Sequence, residues 1–552
     1  MALRTLYQAL LDSDPARLRI IASLWNIQLT TTRKADMAAE LVAAMASAES
    51  VAAVLADLPA EQQAALDDVL RHESALPWAV FVRRNGEVRT LGAGRVEREA
   101  LWREPASAAE ALWFMGLVQR AFADQDGQAV EMAFVPEDLR LYMPAPPPLE
   151  IPPPPTTTAP EAVTLGTDSL ADDLVTVWAA LQREETAPDP PLSALNPPAE
   201  ARLRLLKGLC EETGWIRTDD SGRPRPGANE ILSWLKADLW TQWSALAHAW
   251  IASETWNDVA HIPALKPDPV NPWPNAPRST RQAFLRALSR CEPGAWYTIE
   301  AFKSYVKTYA TDFLRQDGIY DTWAPRDAQT EIPLRGFEAW DAVEGELIAF
   351  LIAGPLSWLG LVDTGHAAGT AREDVFRLSE AGAAVLDLAA PPALPEPSPL
   401  RLLANADVIA PRRRRYERFQ LSRIAERIQE GDATPAEGYR YRLTPASLDR
   451  AKRQRIPLGR ITTFLKEATA SQALPSTLET AIQRAYRGEG QTKLAHPWIL
   501  RVSDPKQLQI PELMPLIVAR LTPELAVVRE KDRERIRQLL AEHGFLVDVD
   551  DA

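Results

Sequence analysis

The sequence predicts an α+β protein, mainly helical, made of tandem winged-helix-like modules with proline-rich linkers and a C-terminal mixed α/β domain. Three observations carry this expectation. One helix–glycine–strand phrase occurs three times before residue 390. Prolines cluster at four places along the chain. From Leu400 onward the pattern changes to alternating short strands and helices.

The chain has 552 residues, too many for one hydrophobic core, and its length suggests roughly three to five domains. An apolar fraction of 46% and a charged fraction of 25% are those of ordinary globular proteins. No uninterrupted apolar run reaches the roughly 18 residues a bilayer-spanning helix needs, and Met1 to Leu11 lacks the order of a secretory signal. Cys210 and Cys291 lie far apart, which argues against a disulfide framework and for a reducing compartment. The expectation is a soluble, cytoplasmic protein with no membrane partner.

Proline sets the candidate boundaries. The stretch from Met143 through Ile151-Pro-Pro-Pro-Pro to Pro160 lacks apolar periodicity and reads as an extended, stiff linker. Further clusters run from Pro188 to Pro198, from Pro263 to Pro277 and from Pro391 to Pro399. The expected organisation is a helical unit at 1–56, a winged-helix-like module at 57–143 and a linker at 144–165. A helical, winged-helix-like module follows at 166–262, with a linker at 263–277. The rest is a third such module at 278–390, a linker at 391–399 and an α/β domain at 400–552.

In the first unit Leu18, Ile21 and Leu24 share one helix face. A second helix opens at Lys34 with Met37, Leu41 and Met45 on its apolar side. This pair resembles the SAP or Rho-N type of small DNA-binding module, which would imply DNA contact; the other reading is a hairpin that only packs on its neighbour. Downstream, Leu112-Trp-Phe-Met-Gly-Leu-Val-Gln-Arg, Leu209-Cys-Glu-Glu-Thr-Gly-Trp-Ile-Arg and Leu356-Ser-Trp-Leu-Gly-Leu-Val-Asp-Thr share one layout. Each closes an apolar helix, places a glycine where left-handed geometry suits it, and continues into apolar residues. The first and third enter a second strand, at Val130 to Val135 and at Asp374 to Ser379, and begin a helix at Glu137 and Glu380. The middle copy passes through Arg223-Pro-Arg-Pro-Gly, which puts its second strand in doubt. Helices followed by a two-stranded wing are the order of a winged helix. The helices before the first and third wings, Ser107 to Val118 and Glu344 to Leu361, carry Glu110, Glu344 and Glu346 and no Lys or Arg, so they suit spacing and protein docking better than phosphate contact. The region with Trp234, Trp240, Trp243, Trp250 and Trp256 is mostly helical, and its spacing favours a core over a base-stacking stripe.

The C-terminal region begins with a strand at Val408-Ile-Ala and a helix from Arg413 to Gln429, with Phe419, Ile424 and Ile428 inward. Tyr439-Arg-Tyr-Arg-Leu alternates as a half-buried strand, and Thr444-Pro445 starts a helix with N-cap and N1 residues in order. Helices at Leu458–Ala468 and Pro475–Tyr486 follow, then strands at Trp498–Val502 and Leu525–Val528. A helix from Glu530 to Glu542, a stop at Gly544 and a last strand Phe545-Leu-Val complete the chain. Asn405-Ala-Asp-Val-Ile-Ala-Pro, Tyr441-Arg-Leu-Thr-Pro-Ala-Ser-Leu, Ile461-Thr-Thr-Phe-Leu and Leu474-Pro-Ser-Thr occur here in that order. Together they resemble the N-terminal domain of XPB-type DNA helicases, which bacterial helicase-associated proteins carry without a motor. The upstream modules followed by this domain also look like the winged-helix scaffold subunit of the transcription and repair factor TFIIH. The resemblance implies an adaptor in DNA repair or transcription that docks an XPB-like helicase or repair nuclease.

The motor is missing. The sequence holds no Gly-x-x-x-x-Gly-Lys-Ser/Thr to cradle phosphates and no Asp-Glu-x-His box. His72, His248, His261, His366, His496 and His543 show no metal-ligand spacing. Gly92-Ala-Gly94 reads as a hairpin turn between Val88 and Val96, Asp172-Asp173 as carboxylates favoured at a helix start, and Asp548 to Asp550 as a solvated tail. Neither a catalytic site, a cofactor nor a metal is expected. The net charge of −14 is uneven: Ser398 to Ala470 holds sixteen Lys/Arg against eight Asp/Glu. Arg412, Arg413, Arg414 and Arg415 open one helix there, where cations oppose the dipole and invite an anionic partner. Lys452, Arg453 and Arg455 close another. These seven are the candidate nucleic-acid-binding residues; an acidic protein partner or a solvated surface are the other readings. The alternatives to an adaptor are a winged-helix DNA-binding transcriptional regulator and a protein-only scaffold.

Overall fold

The computed structural model describes residues 4–125, 128–183, 199–366, 374–403, 405–428, 438–489 and 498–547. The Pro188 to Pro198 cluster, His496 and the acidic Asp548 to Asp550 lie outside them. About half of the described residues are helical, and the strands form small sheets of two to four, so the protein is α+β. Among the described residues no single helix is long and apolar enough to cross a membrane; one pair, Lys34–Met45 with Ala48–Ala56, meets the test of length and composition only across an 80° bend. The chain forms two compact units: 1–442 with 467–471, and 443–466 with 472–552.

The first unit begins with helices Leu6–Asp12, Pro15–Leu24 and Lys34–Met45. Asp14 caps the second through the Ala16 N–H, with Pro15 at the first helical position. Leu18, Ile21, Met37, Leu41 and Met45 are all buried, as their spacing predicts. They share one core with Leu66, Phe81, Leu112 and Val135, so the boundary expected at residue 56 divides sequence but not packing. Gly92-Ala-Gly94 forms no hairpin turn. Gly92 sits at φ −62° and precedes helix Ala93–Arg98, whose Val96 is buried beside Ile20 and Phe114.

All three glycines of the recurring phrase are left-handed, Gly116, Gly214 and Gly360 lying at φ 73–74°. The strands that follow are Gln119–Gln125, Ile216–Thr218 and Val362–His366. Each pairs antiparallel with a second strand, including Pro224–Pro226 in the middle copy, where Arg217 faces Arg225. Prolines are tolerated there because the strand is a sheet edge and the ring nitrogens need no partner. Helices Glu137–Arg140, Ala228–Lys236 and Glu380–Val385 close the three copies.

The 144–165 stretch is less detached than a linker. Ala162–Thr164 adds a strand beside Val362–His366, and Thr157 N–H donates to the Trp296 carbonyl at 2.7 Å. An extended, proline-rich chain keeps free backbone groups, and an open sheet edge satisfies some of them. Likewise one core runs from Leu170 to Leu378 and takes in Phe419, so the prolines at 263–277 mark a surface turn of the chain and no break in packing. Trp234, Trp243, Trp250 and Trp256 are buried in this region, with Trp240 half-buried.

Residues 401–442 complete the first unit. A four-stranded sheet has the order Arg401–Leu402, Asp407–Ala410, Tyr439–Arg442, Glu426–Arg427. The helix expected over Arg413–Gln429 is shorter, Arg415–Ile424, because Glu426 and Arg427 leave it to pair with Arg442 and Tyr441. The units therefore part after Arg442 and not at the prolines before Leu400.

In the second unit Thr444 caps helix Pro445–Arg453 reciprocally with Ser447, and helix Ser476–Arg487 packs on it. A three-stranded sheet follows in the order Trp498–Arg501, Leu525–Val528, Ile517–Thr522. Phe545 to Val547 forms no strand: after Gly544 at φ 83°, Leu546 is 96% exposed.

Candidate nucleic-acid interface

The two basic runs meet different fates. Arg412 to Arg415 lie at the start of Arg415–Ile424, against helix Ser169–Gln182. That helix is buried on nearly every side; Asp168 stands at its N-cap and Asp172 in its first turn. Asp168 accepts from Arg412 at 2.5 Å, Arg413 at 2.9 Å and Arg415 at 2.5 Å. Asp172 accepts from Arg415 at 2.9 Å and Arg418 at 3.1 Å, and pairs with Arg412 at 2.9 Å. Arg415 is fully buried and reaches Gln242 as well. Arg414 turns to the Pro397 and Ser398 carbonyls and to Glu396 and Glu417. Arg418 stacks over Tyr439 at 3.8 Å.

The electrostatics follow from burial. Burial alone would raise the Asp168 carboxyl; Arg415, Arg412 and Arg413 outweigh it and hold the group down at about 2. Burial likewise weakens the hold of Arg412 on its proton, and Asp172 and Asp168 more than restore it. The arginines at a helix N-terminus do have an anionic partner, as the dipole argument requires, but it belongs to the same chain. The carboxylates stand at the N-terminus of their own helix, where the dipole favours them. Arg412, Arg413, Arg415 and Arg418 are thus an internal clasp, and Arg414 is held by its own neighbours; the expectation that Arg412 to Arg415 face outside phosphate gives way because each is bonded within the chain and Arg415 has no exposed surface. The signal available in the sequence was Asp168 and Asp172, one helical turn apart at the start of a largely apolar helix.

Lys452, Arg453 and Arg455 are exposed. They end helix Pro445–Arg453 in a tight turn: the Arg455 N–H donates to the Lys452 carbonyl at 2.9 Å and the Ile456 N–H to the Ala451 carbonyl at 3.0 Å. This termination places Arg455 in left-handed geometry at φ 58°, a position that favours glycine. The Tyr486 hydroxyl donates to the Ile456 carbonyl at 2.8 Å and draws the last turn of Ser476–Arg487 against this end. Lys452 lies 5.9 Å over the Tyr486 ring, and Arg453 makes an exposed pair with Asp449 at 3.3 Å. Among the described residues Arg455, Arg460, Arg484 and Arg487 make no ion pair. Solvent-facing guanidiniums held on two packed helices can grip phosphate oxygens in pairs.

Of the acidic residues on the helices before the first and third hairpins, Glu110 and Glu344 are internal and Glu346 is half-buried. Glu110 is buried and bonded by Arg89, and Glu344 by Arg315 at 2.8 Å. Among the described residues no three His, Cys, Asp or Glu side chains are grouped to hold a metal ion. No protein-family model matches this chain, and no curated protein matches it in sequence.

Proposed function

We propose that this protein is a non-catalytic, helicase-associated adaptor whose second unit contacts nucleic-acid phosphates through Lys452, Arg453 and Arg455. One observation carries the reading: these three cations are exposed at a helix end, and Arg455 stands where the backbone prefers glycine. The helicase association rests on the likeness to XPB-type N-terminal domains. Its most specific phrase, Tyr441 to Leu448, folds here as the end of a strand, a capped turn and the start of a helix. The three helix–glycine–hairpin modules act as winged-helix-like spacers and docking surfaces. The helices before the first and third hairpins offer no basic face to a groove, which disfavours the transcriptional-regulator reading.

The test is fluorescence anisotropy of the full chain with labelled forked and duplex DNA over a range of salt. Each phosphate neutralised contributes about 0.9 to the log–log salt slope. Changing Lys452, Arg453 and Arg455 together to Ser is expected to lower the slope by about 2 to 3. Absence of DNA binding at low salt would leave a protein-only scaffold.

A further inference from the structure

The first unit contains a cleft of about 570 Å³, within the roughly 300–1,000 Å³ range of small-ligand sites. Its apolar floor includes Val80, Ile151 and Phe313. One wall is the end of helix Pro277–Leu288, with Arg286 in the last turn and Arg290 four residues on. Both arginines are exposed, and neither makes an ion pair among the described residues. Helix Ile299–Tyr309 lines the cleft as well, through Tyr305 and Tyr309. Tyr305 is nearly buried and Tyr309 is 40% exposed, their rings 5.0 Å apart.

Nearby carboxylates do not cancel the arginines. Asp312, on the lining, is gripped through both oxygens by Arg83 at 2.5 Å. Asp68 is bonded by Arg84 at 3.2 Å, and His72 donates to the Asp68 carbonyl. Arg286 and Arg290 therefore remain as uncompensated positive charge beside an exposed aromatic ring and an apolar floor. A phosphate suits guanidinium donors on one wall of the cleft. A planar base suits the ring, because stacking tolerates any base.

We propose that this cleft binds a nucleotide unit, its phosphate on Arg286 and Arg290 and its base on Tyr309. The unit is supplied by a free nucleotide or by one residue of a single strand, since both present a phosphate beside a planar ring. The proposal goes beyond the phosphate contacts of the second unit and stands on separate residues.

The experiment uses the full chain carrying Lys452→Ser, Arg453→Ser and Arg455→Ser, which removes the three phosphate contacts proposed for the second unit. Adenosine monophosphate is titrated calorimetrically and a fluorescein-labelled thymidine octamer by anisotropy. Binding of the mononucleotide, with displacement of the octamer, identifies a free nucleotide as the source; binding of the octamer alone identifies a single strand. In either case Arg286→Gln with Arg290→Gln is expected to weaken binding tenfold or more. Tyr309→Ala is expected to weaken it several-fold, while Tyr309→Phe, which keeps the ring, retains it. Unchanged melting temperatures are expected, because Arg286, Arg290 and Tyr309 are exposed. The proposal is overturned if neither probe binds, or if binding ignores both the arginine pair and Tyr309→Ala.

Discussion

Asp168→Asn tests the internal clasp. Asp168 meets three guanidiniums at 2.5–2.9 Å, and its side chain and that of Arg415 have no exposed surface. Removing one partner of a buried ion pair costs about 3–5 kcal/mol, because the other charge is left without compensation in a poorly polarisable interior. Arg415 would keep Asp172 at 2.9 Å and Gln242 at 3.0 Å, which places the loss near the lower end, at about 3 kcal/mol. The Asn amide adds a donor facing donors, so the loss exceeds that of the missing charge alone. Urea unfolding at neutral pH, followed by tryptophan fluorescence, reports on this region because Trp178 and Trp250 are buried in the adjoining core. With a urea slope of about 3 kcal/mol per M, the midpoint should fall by about 1 M. A loss below about 1 kcal/mol, the value of a solvent-screened surface pair, would refute the clasp.

Two further predictions concern the same residues and the cationic turn. The Asp168 carboxyl is lowered from 3.8 to about 2, so its stabilisation is fully present above about pH 4 and is lost as the pH falls through 2. The shift corresponds to about 2 kcal/mol, and urea midpoints measured from pH 5 to pH 2 should fall in the wild type more than in Asp168→Asn. Arg455→Gly removes a side chain from left-handed geometry and should stabilise the second unit by about 0.5–1 kcal/mol in thermal unfolding, while weakening DNA binding.

Local signals were legible wherever neighbours in sequence decide the structure. Lys34–Met45 follows from its apolar spacing, and Thr444-Pro445 starts a helix because cap and first turn agree. The three phrase glycines end their helices because only that geometry turns the chain toward a strand. What the sequence concealed depends on distant partners. Arg415 and Asp168 are 247 residues apart, and an arginine run reads the same whether its anion is a phosphate or a buried carboxylate. Ala162–Thr164 became a strand only because Val362–His366 offered it an edge. Ile517–Thr522 was missed as a strand because its side chains are almost all exposed, leaving no inward alternation to read, whereas the apolar Phe545 to Val547 suggested a strand where none forms. Within the candidate site, the exposure of Lys452, Arg453 and Arg455 was open to the sequence; the left-handed turn at Arg455 and the support from Tyr486 were not.

Hydrogen exchange of the full chain with and without a DNA duplex tests the assignment of the interface most directly. Slowed exchange is predicted around residues 450–460 and 484–489, with no change at residues 412–418, whose exchange is already limited by the clasp. Protection at 412–418 with none at 450–460 would contradict the account, since it would require the arginines on Asp168 and Asp172 to release their carboxylates and turn outward.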